Sequence, residues 1–184
     1  MTIPFVGFPK ISRYSRDVIV TEKIDGTNAQ IYIPDTGDVP IYAGSRSRWI
    51  TPEQDNHGFA KWVQTNRIQL LRLGPGNHFG EWWGSGINRG YGLVNGEKRF
   101  SLFNTHRWSD DAIRPNCCNV VPVLWTGNFS DLCIEEIVED LRITGSMASP
   151  GFRQPEGVVV YHTAGNVLFK KTLEKDESPK GKVE

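Results

Sequence analysis

Apolar residues along this chain come in short runs punctuated by Gly, Pro and Asn, and within most runs they alternate with period two. Residues 18–22 and 29–33 flank Lys23-Ile24-Asp25-Gly26-Thr27-Asn28. That stretch reads as strand, tight loop, strand, because Asp-Gly is a turn signal between β-branched flanks. The same reasoning predicts strands at 41–44, 79–82, 100–103, 120–125, 157–161 and 167–171, the last two joined as a hairpin around 163–166. Two segments switch to helical spacing. Residues 58–73 carry Phe59, Trp62, Val63, Leu70 and Leu73 and stop at Gly74-Pro75-Gly76. Residues 134–141 repeat Ile134, Ile137, Val138 and Leu141 behind Ser130 and Asp131, which can cap. The expected fold class is α+β, with antiparallel sheets carrying the chemistry. No internal repeat or dividing linker interrupts the pattern, so 1–184 is expected to form a single domain with no OB-fold or other C-terminal RNA-binding domain. The charged segment 174–184 reads as a frayed tail or the start of a further domain.

Composition narrows the class. At 38% hydrophobic and 23% charged residues the chain is globular rather than disordered. No apolar run approaches the ~20 residues of a membrane helix, and the N-terminus lacks the basic and apolar regions of a signal peptide. With 21 basic and 21 acidic residues the net charge is zero, so any nucleic-acid contact must come from a local patch. Cys117, Cys118 and Cys133 are an odd set with one adjacent pair, read as reduced thiols. His57, His78, His106 and His162 show no zinc-site spacing. The expected location is the cytoplasm, or a host's cytoplasm if the chain is phage-encoded.

Candidate chemistry starts at Lys23. A lysine at a strand end followed by Asp-Gly puts an amine at the rim of a sheet, where glycine lets backbone approach a ligand. Taken alone the signal is weak, since most such tetrapeptides are surface turns. Further along come Ser45-Arg46, then the single acid of Phe79-Gly80-Glu81-Trp82, then the aromatic strand ending Phe103-Asn104. Pro155-Glu156-Gly157 sets a carboxylate at the head of an apolar strand, and Val167–Lys171 ends one in lysines.

In this order the set resembles the covalent nucleotidyltransferase superfamily of DNA ligases, RNA ligases and mRNA capping enzymes, over residues 22–172. Lys-Ile-Asp-Gly-Thr-Asn looks most like ATP-dependent RNA ligases of the RNA ligase 2 type, since capping enzymes and DNA ligases typically have arginine in place of Asn28. Residues 80–90 look similar to a phage and bacterial branch. The resemblance implies an ATP-grasp-like ligase adenylation fold. It also implies a covalent lysyl-AMP on Lys23, made from ATP with Mg²⁺ or Mn²⁺, then passed to an RNA 5′-phosphate and sealed to a 3′-hydroxyl. The implied nucleotide-binding set is Glu22, Ile24, Asp25, Asn28, Arg46, Glu81, Phe103, Glu156 and Lys170, with Glu156 also a metal-facing carboxylate. The implied partners are RNA ends, nicked or duplex, with a partner subunit or further domain for RNA engagement and no membrane. The terminal motif departs from the family's Lys-x-Lys, because Thr172 follows where a second lysine is usual.

These residue types suit the reaction. Adenylation needs a neutral amine, whereas a free lysine titrates near ~10.4; nearby positive charge, such as Lys170 or Mg²⁺, and desolvation favour the neutral form. Arg46 offers a planar fork to ribose or phosphate oxygens, and Phe103 a face for adenine. Glu81 can accept from ribose hydroxyls. Alternatives stay open at several positions. Phe100 competes with Phe103 as the stacking ring, and Lys171 with Lys170 as the site lysine. Glu81 and Glu156 also read as edge acids, and Arg13, Arg16, Arg48, Arg89, Lys98 and Arg99 as solvated surface. A GTP-using capping guanylyltransferase and a catalytically silent RNA-end-binding module are the rival functions.

Overall fold

The computed structural model describes residues 3–35 and 40–177. In chain order the strands are β1 (Asp17–Lys23), β2 (Thr27–Ile33), β3 (Tyr42–Gly44), β4 (Trp49–Ile50), β5 (Gly76–Gly84), β6 (Lys98–Leu102), β7 (Asn119–Val120), β8 (Val123–Asn128), β9 (Gly157–His162) and β10 (Val167–Thr172). The helices are α1 (Phe59–Thr65), α2 (Arg67–Leu70), α3 (Thr105–Trp108) and α4 (Asp131–Thr144). Among the described residues the strands form two sheets, a four-stranded one ordered β10-β9-β1-β8 and a six-stranded one ordered β4-β3-β2-β5-β6-β7. Every pairing is antiparallel except β6 with β7. The α+β expectation with antiparallel sheets therefore holds.

Alternation along β1 sorts its side chains between the two faces of the small sheet. Val18, Val20 and Glu22 point to one face and are buried, while Ile19, Thr21 and Lys23 point to the other. Val18 and Val20 join Val158 and Val160 of β9 in a core closed by Ile134, Val138 and Leu141 of α4. Ser130 caps α4, its hydroxyl accepting from the Cys133 amide at 3.4 Å. A second core lies behind the large sheet, where Ile31, Phe100 and Leu102 meet Phe59 and Val63 of α1 and Leu70 of α2. Between the two, Ile24, Trp83, Tyr91 and Val121 form a small third cluster under the 24–26 loop. That loop carries the chain from the small sheet into the large one.

Two expected elements differ. The helix predicted over 58–73 breaks at Asn66, which is non-helical (φ −99°, ψ 11°) and donates its side-chain amide to the Trp62 carbonyl at 2.9 Å. Asparagine competes with the helical ladder in this way. A 3₁₀ turn, Leu71–Leu73, finishes the segment. The strand predicted over 120–125 divides at Val121-Pro122, where β7 leaves the large sheet and β8 enters the small one. Proline has no N–H for a ladder, yet the Pro122 carbonyl accepts the Glu22 amide at 2.9 Å. Of the predicted tail, residues 178–184 lie outside the described residues. Among the described residues no helix is long and apolar enough to cross a membrane.

Candidate active site

Lys23 ends β1 at the junction of the sheets, and its amine pairs with Glu156 Oε2. Glu156 stands just ahead of β9 and is 3% exposed. Its carbonyl accepts the Leu173 amide at 2.9 Å, which ties the start of β9 to the end of β10. Gly157 permits this closeness, since a Cβ there would meet the Lys171 carbonyl and lie 2.7 Å from Thr172 Cα.

Glu81 reaches the same junction from β5. Its Oε1 accepts the Gly26 amide at 3.0 Å and its Oε2 the Asn28 side-chain amide at 3.3 Å. Burial pushes its carboxyl up to about 7, against the opposing pull of Lys23 and the Gly26 amide. Gly26 itself is pressed against β5: a Cβ would meet the Trp82 carbonyl and come within 2.7 Å of Trp83 Cβ. The tight loop expected from Asp-Gly thus has a second reason for glycine, a close strand approach.

The loop is locked from outside by residues 88–91. The Tyr91 hydroxyl accepts the Asp25 amide at 2.9 Å and lies 3.4 Å from the Lys23 carbonyl, to which it donates. Asn88 donates to Asp25 Oδ1 at 3.0 Å and to the Gly26 carbonyl at 2.6 Å. Arg89 pairs with Asp25 Oδ2 at 3.2 Å, donates to the Gln154 carbonyl at 3.0 Å and approaches Glu174 at 3.8 Å. Burial raises the Tyr91 phenol well above its ordinary value, so it stays a donor. Sequence reasoning placed Arg89 among solvated residues and did not single out Tyr91. The one signal in the sequence was an Asn-Arg-Gly-Tyr run closing a glycine-rich stretch after an aromatic strand.

Next to Glu81 a cavity of about 190 Å³ is lined by Asn28, Gln30, Ser45, Arg46, Phe79 and Phe103. Phe103 is 42% exposed there, whereas Phe100 is fully buried in the core. Phe103, just past the end of β6, lines the cavity and Phe100 within β6 does not, which separates the two rings that the sequence left in competition. Phe79 is a second exposed ring at the cavity. A larger cavity, about 460 Å³, lies behind Tyr91 along residues 149–154 and is lined by none of the residues singled out from sequence. The smaller one adjoins Glu81 through Asn28.

Glu22 and Ile24 sit differently. The Glu22 carboxylate turns to the α4 face, where it accepts from Ser146 Oγ at 2.6 Å and from the Met147 and Ala148 amides at 2.8 and 2.9 Å. Burial raises its pKa despite those bonds. Ile24 packs in the small third cluster. These two side chains brace the Lys23 strand end and do not line the cavity. In β10, Lys170 shares the Lys23 face, because Val159 opposes both Thr21 and Lys170. Lys171 faces α4 and pairs with Glu135 at 2.7 Å, which raises its pKa. Among the described residues no three His, Cys, Asp or Glu side chains cluster as a metal-ligand group.

The RNA ligase family model matches residues 16–172. Among curated proteins none matches the sequence. Of solved structures, a mutant Naegleria gruberi RNA ligase with ATP and Mn superposes with a TM-score of 0.66 at 19% identity, over 88% of this chain and 51% of that one. Another mutant of that ligase, with AMP and Mn, gives 0.64 at 19% identity over 85% and 49%. The same ligase with PPi gives 0.59 at 18% identity over 85% and 49%. The chain spans about half the length of the solved ligases it matches, and these likenesses carry the fold. The family match covers the Lys23 loop, Glu81, Glu156 and the terminal lysine strand, and the chain belongs to the RNA ligase family.

Proposed function

We propose that the protein is an ATP-dependent ligase core that adenylylates Lys23 and delivers AMP to RNA ends. The observation that carries this reading is Glu81, which joins the Lys23 loop to the cavity. One oxygen accepts from Gly26 beside the nucleophile and the other from Asn28 on the cavity wall. A nucleotide seated against Phe103, with phosphates toward Arg46, would bring its α-phosphorus to the Lys23 side of that bridge. The fold neighbours solved with ATP, AMP and Mn support the choice of nucleotide and of a divalent metal.

In the first step the Lys23 amine, having lost a proton, attacks the α-phosphorus. The N–P bond forms, the bond to the β-phosphate oxygen breaks, and pyrophosphate leaves. Most of the work is positioning and charge neutralisation. Glu156 holds the amine at the strand end, the Tyr91 and Gly26 contacts fix the loop behind it, and Lys170 on the same sheet face offsets phosphate charge. Glu156 and Glu81 are carboxylates of the kind that would hold a divalent ion, which would supply further positive charge against the triphosphate. In the later steps the AMP passes to an RNA 5′-phosphate, and a 3′-hydroxyl displaces it.

The test is incubation with labelled ATP or GTP and Mg²⁺. Covalent label should appear from ATP, survive denaturation and be released by acid as a phosphoramidate is. Lys23→Ala should lose it while keeping its fold. Label persisting on Lys23→Ala refutes the nucleophile assignment, and equal labelling by GTP points to capping chemistry.

A further inference from the structure

Beyond the cavity, the same face of the large sheet carries a group of rings with no role in adenylylation. Tyr32 in β2, Tyr42 in β3 and Trp49 in β4 meet at centroid separations of 5.9 to 6.1 Å and interplanar angles of 35° to 53°. Register puts them on the cavity side. Gln30, which lines the cavity, opposes Gly44, and Tyr32 opposes Tyr42 two residues on. Trp49 also opposes Gly44, and a Cβ there would stand 3.1 Å from the indole. Glycine at 44 therefore lets the indole lie across the strand. Tyr42 is 43% exposed and Trp49 52%.

Three features identify what such a surface fits. The rings are tilted to one another, so they present separate π faces rather than one flat apolar floor. Their surroundings are polar and basic: Gln30 donates to Asn77 at 2.6 Å, and exposed Arg46 and Arg48 stand in the turn between β3 and β4. The patch is also continuous with the Phe79–Phe103 cavity along β2, about 13 Å from Asn28 to Tyr32 at the usual rise per residue. A chain of nucleotides running from that cavity would meet rings that stack on bases and arginines that meet phosphates.

We propose that Tyr42 and Trp49 form a shelf on which unpaired bases of the RNA strand beside the reacting end stack, with Arg48 toward its phosphates. The substrate class is then single-stranded RNA, not the nicked duplex that the family resemblance alone implies. A paired base has both faces covered by its neighbours and must be unstacked before it can use such a shelf. The proposal rests on the ligase reading.

The experiment uses a 5′-phosphorylated single-stranded oligoribonucleotide and a nicked duplex of the same sequence, with binding followed by anisotropy and lysyl-AMP formation measured in parallel. Trp49→Ala and Tyr42→Ala should each weaken single-strand binding roughly 5- to 150-fold, the range for one base–aromatic stack. Both should form lysyl-AMP like the parent, and Trp49→Phe should retain most of the affinity. If Trp49→Ala does not fold, Tyr42→Ala and Trp49→Phe still decide. Unchanged single-strand binding in the alanine variants overturns the shelf, as does a parent that prefers the nicked duplex with both ligands weakened alike. A parent that forms no lysyl-AMP refutes the ligase reading, while the shelf still stands or falls on the oligonucleotide binding.

Discussion

Replacing Arg89 with alanine removes a cation that holds three functional segments together: the Lys23 loop through Asp25, the approach to Glu156 through the Gln154 carbonyl, and the residues after β10 through Glu174. The contacts are unequal. Asp25 is 15% exposed and Arg89 28%, so their pair is largely screened from water, and a hydrogen bond to a charged partner contributes about 1.5–3 kcal/mol. Glu174 is 71% exposed, and a surface pair of that kind contributes ~0–1 kcal/mol. Asp25 keeps Asn88 after the substitution, which limits the loss. We expect Arg89→Ala to cost about 2 kcal/mol in urea denaturation. The rate effect should be larger than that loss implies for a mostly folded enzyme, because the loop carrying the proposed nucleophile is freed, and displacement by ~1 Å costs on the order of 100-fold. Single-turnover labelling should therefore slow by about 10- to 100-fold at saturating ATP. The ATP concentration for half-maximal rate should change little, since Arg89 does not line the cavity. Arg89→Lys should fall between, retaining a charge for Asp25 but not the fork that also reaches Gln154. Full-rate labelling by folded Arg89→Ala, or an effect confined to ATP affinity, would refute this positioning role.

Glu81, with its carboxyl raised to about 7, binds a proton in the folded state over a range where the unfolded chain has lost it. Stability should thus fall as pH rises from about 4.5 to 7 and flatten above, by on the order of 3 kcal/mol. Glu81→Gln should remove most of that slope, and an unchanged slope in denaturation from pH 5 to 8 contradicts it. Lys170→Ala should slow lysyl-AMP formation about 100-fold or more, as loss of one donor to developing phosphate charge does. Lys171→Ala, which loses only its Glu135 pair, should change the rate a few-fold; the reverse order of effects would move the role to Lys171. Gly26→Ala should destabilise by about 1–3 kcal/mol through overpacking against β5, and an unshifted urea midpoint would show that the strands give way.

What the sequence made legible was local. Alternation in β1 is strict, so Lys23 and Glu22 fall on opposite faces, and the Asp-Gly turn fixes where the chain leaves the sheet. The β9–β10 hairpin has the same property: period two alone places Lys170 with Thr172 and Lys171 with Phe169, as the ladder has it. Where local preference met a competing bond, the reading failed. Helical spacing ran through Asn66, but the backbone there leaves the helical region while its side-chain amide shares the Trp62 carbonyl with its own N–H. An apolar run crossed Pro122 although one half belongs to each sheet.

The residues missed at the site failed for a different reason. Arg89 and Tyr91 act on a loop more than sixty positions earlier in the chain, and periodicity carries no information about such a pairing. An arginine after an asparagine in a glycine-rich turn has the composition of solvated surface, and only the folded turn reveals that its guanidinium meets Asp25. Tyr91 is fully buried and has a polar end, so its hydroxyl needs a partner. It finds two, the Asp25 amide and the Lys23 carbonyl, both where β1 leads into the loop before β2. The demand for satisfaction inside the third cluster and the fixing of the Lys23 loop are met by the same two bonds. That coincidence explains why the loop is held from its backbone, leaving the Lys23 side chain to pair with Glu156 at the junction of the sheets.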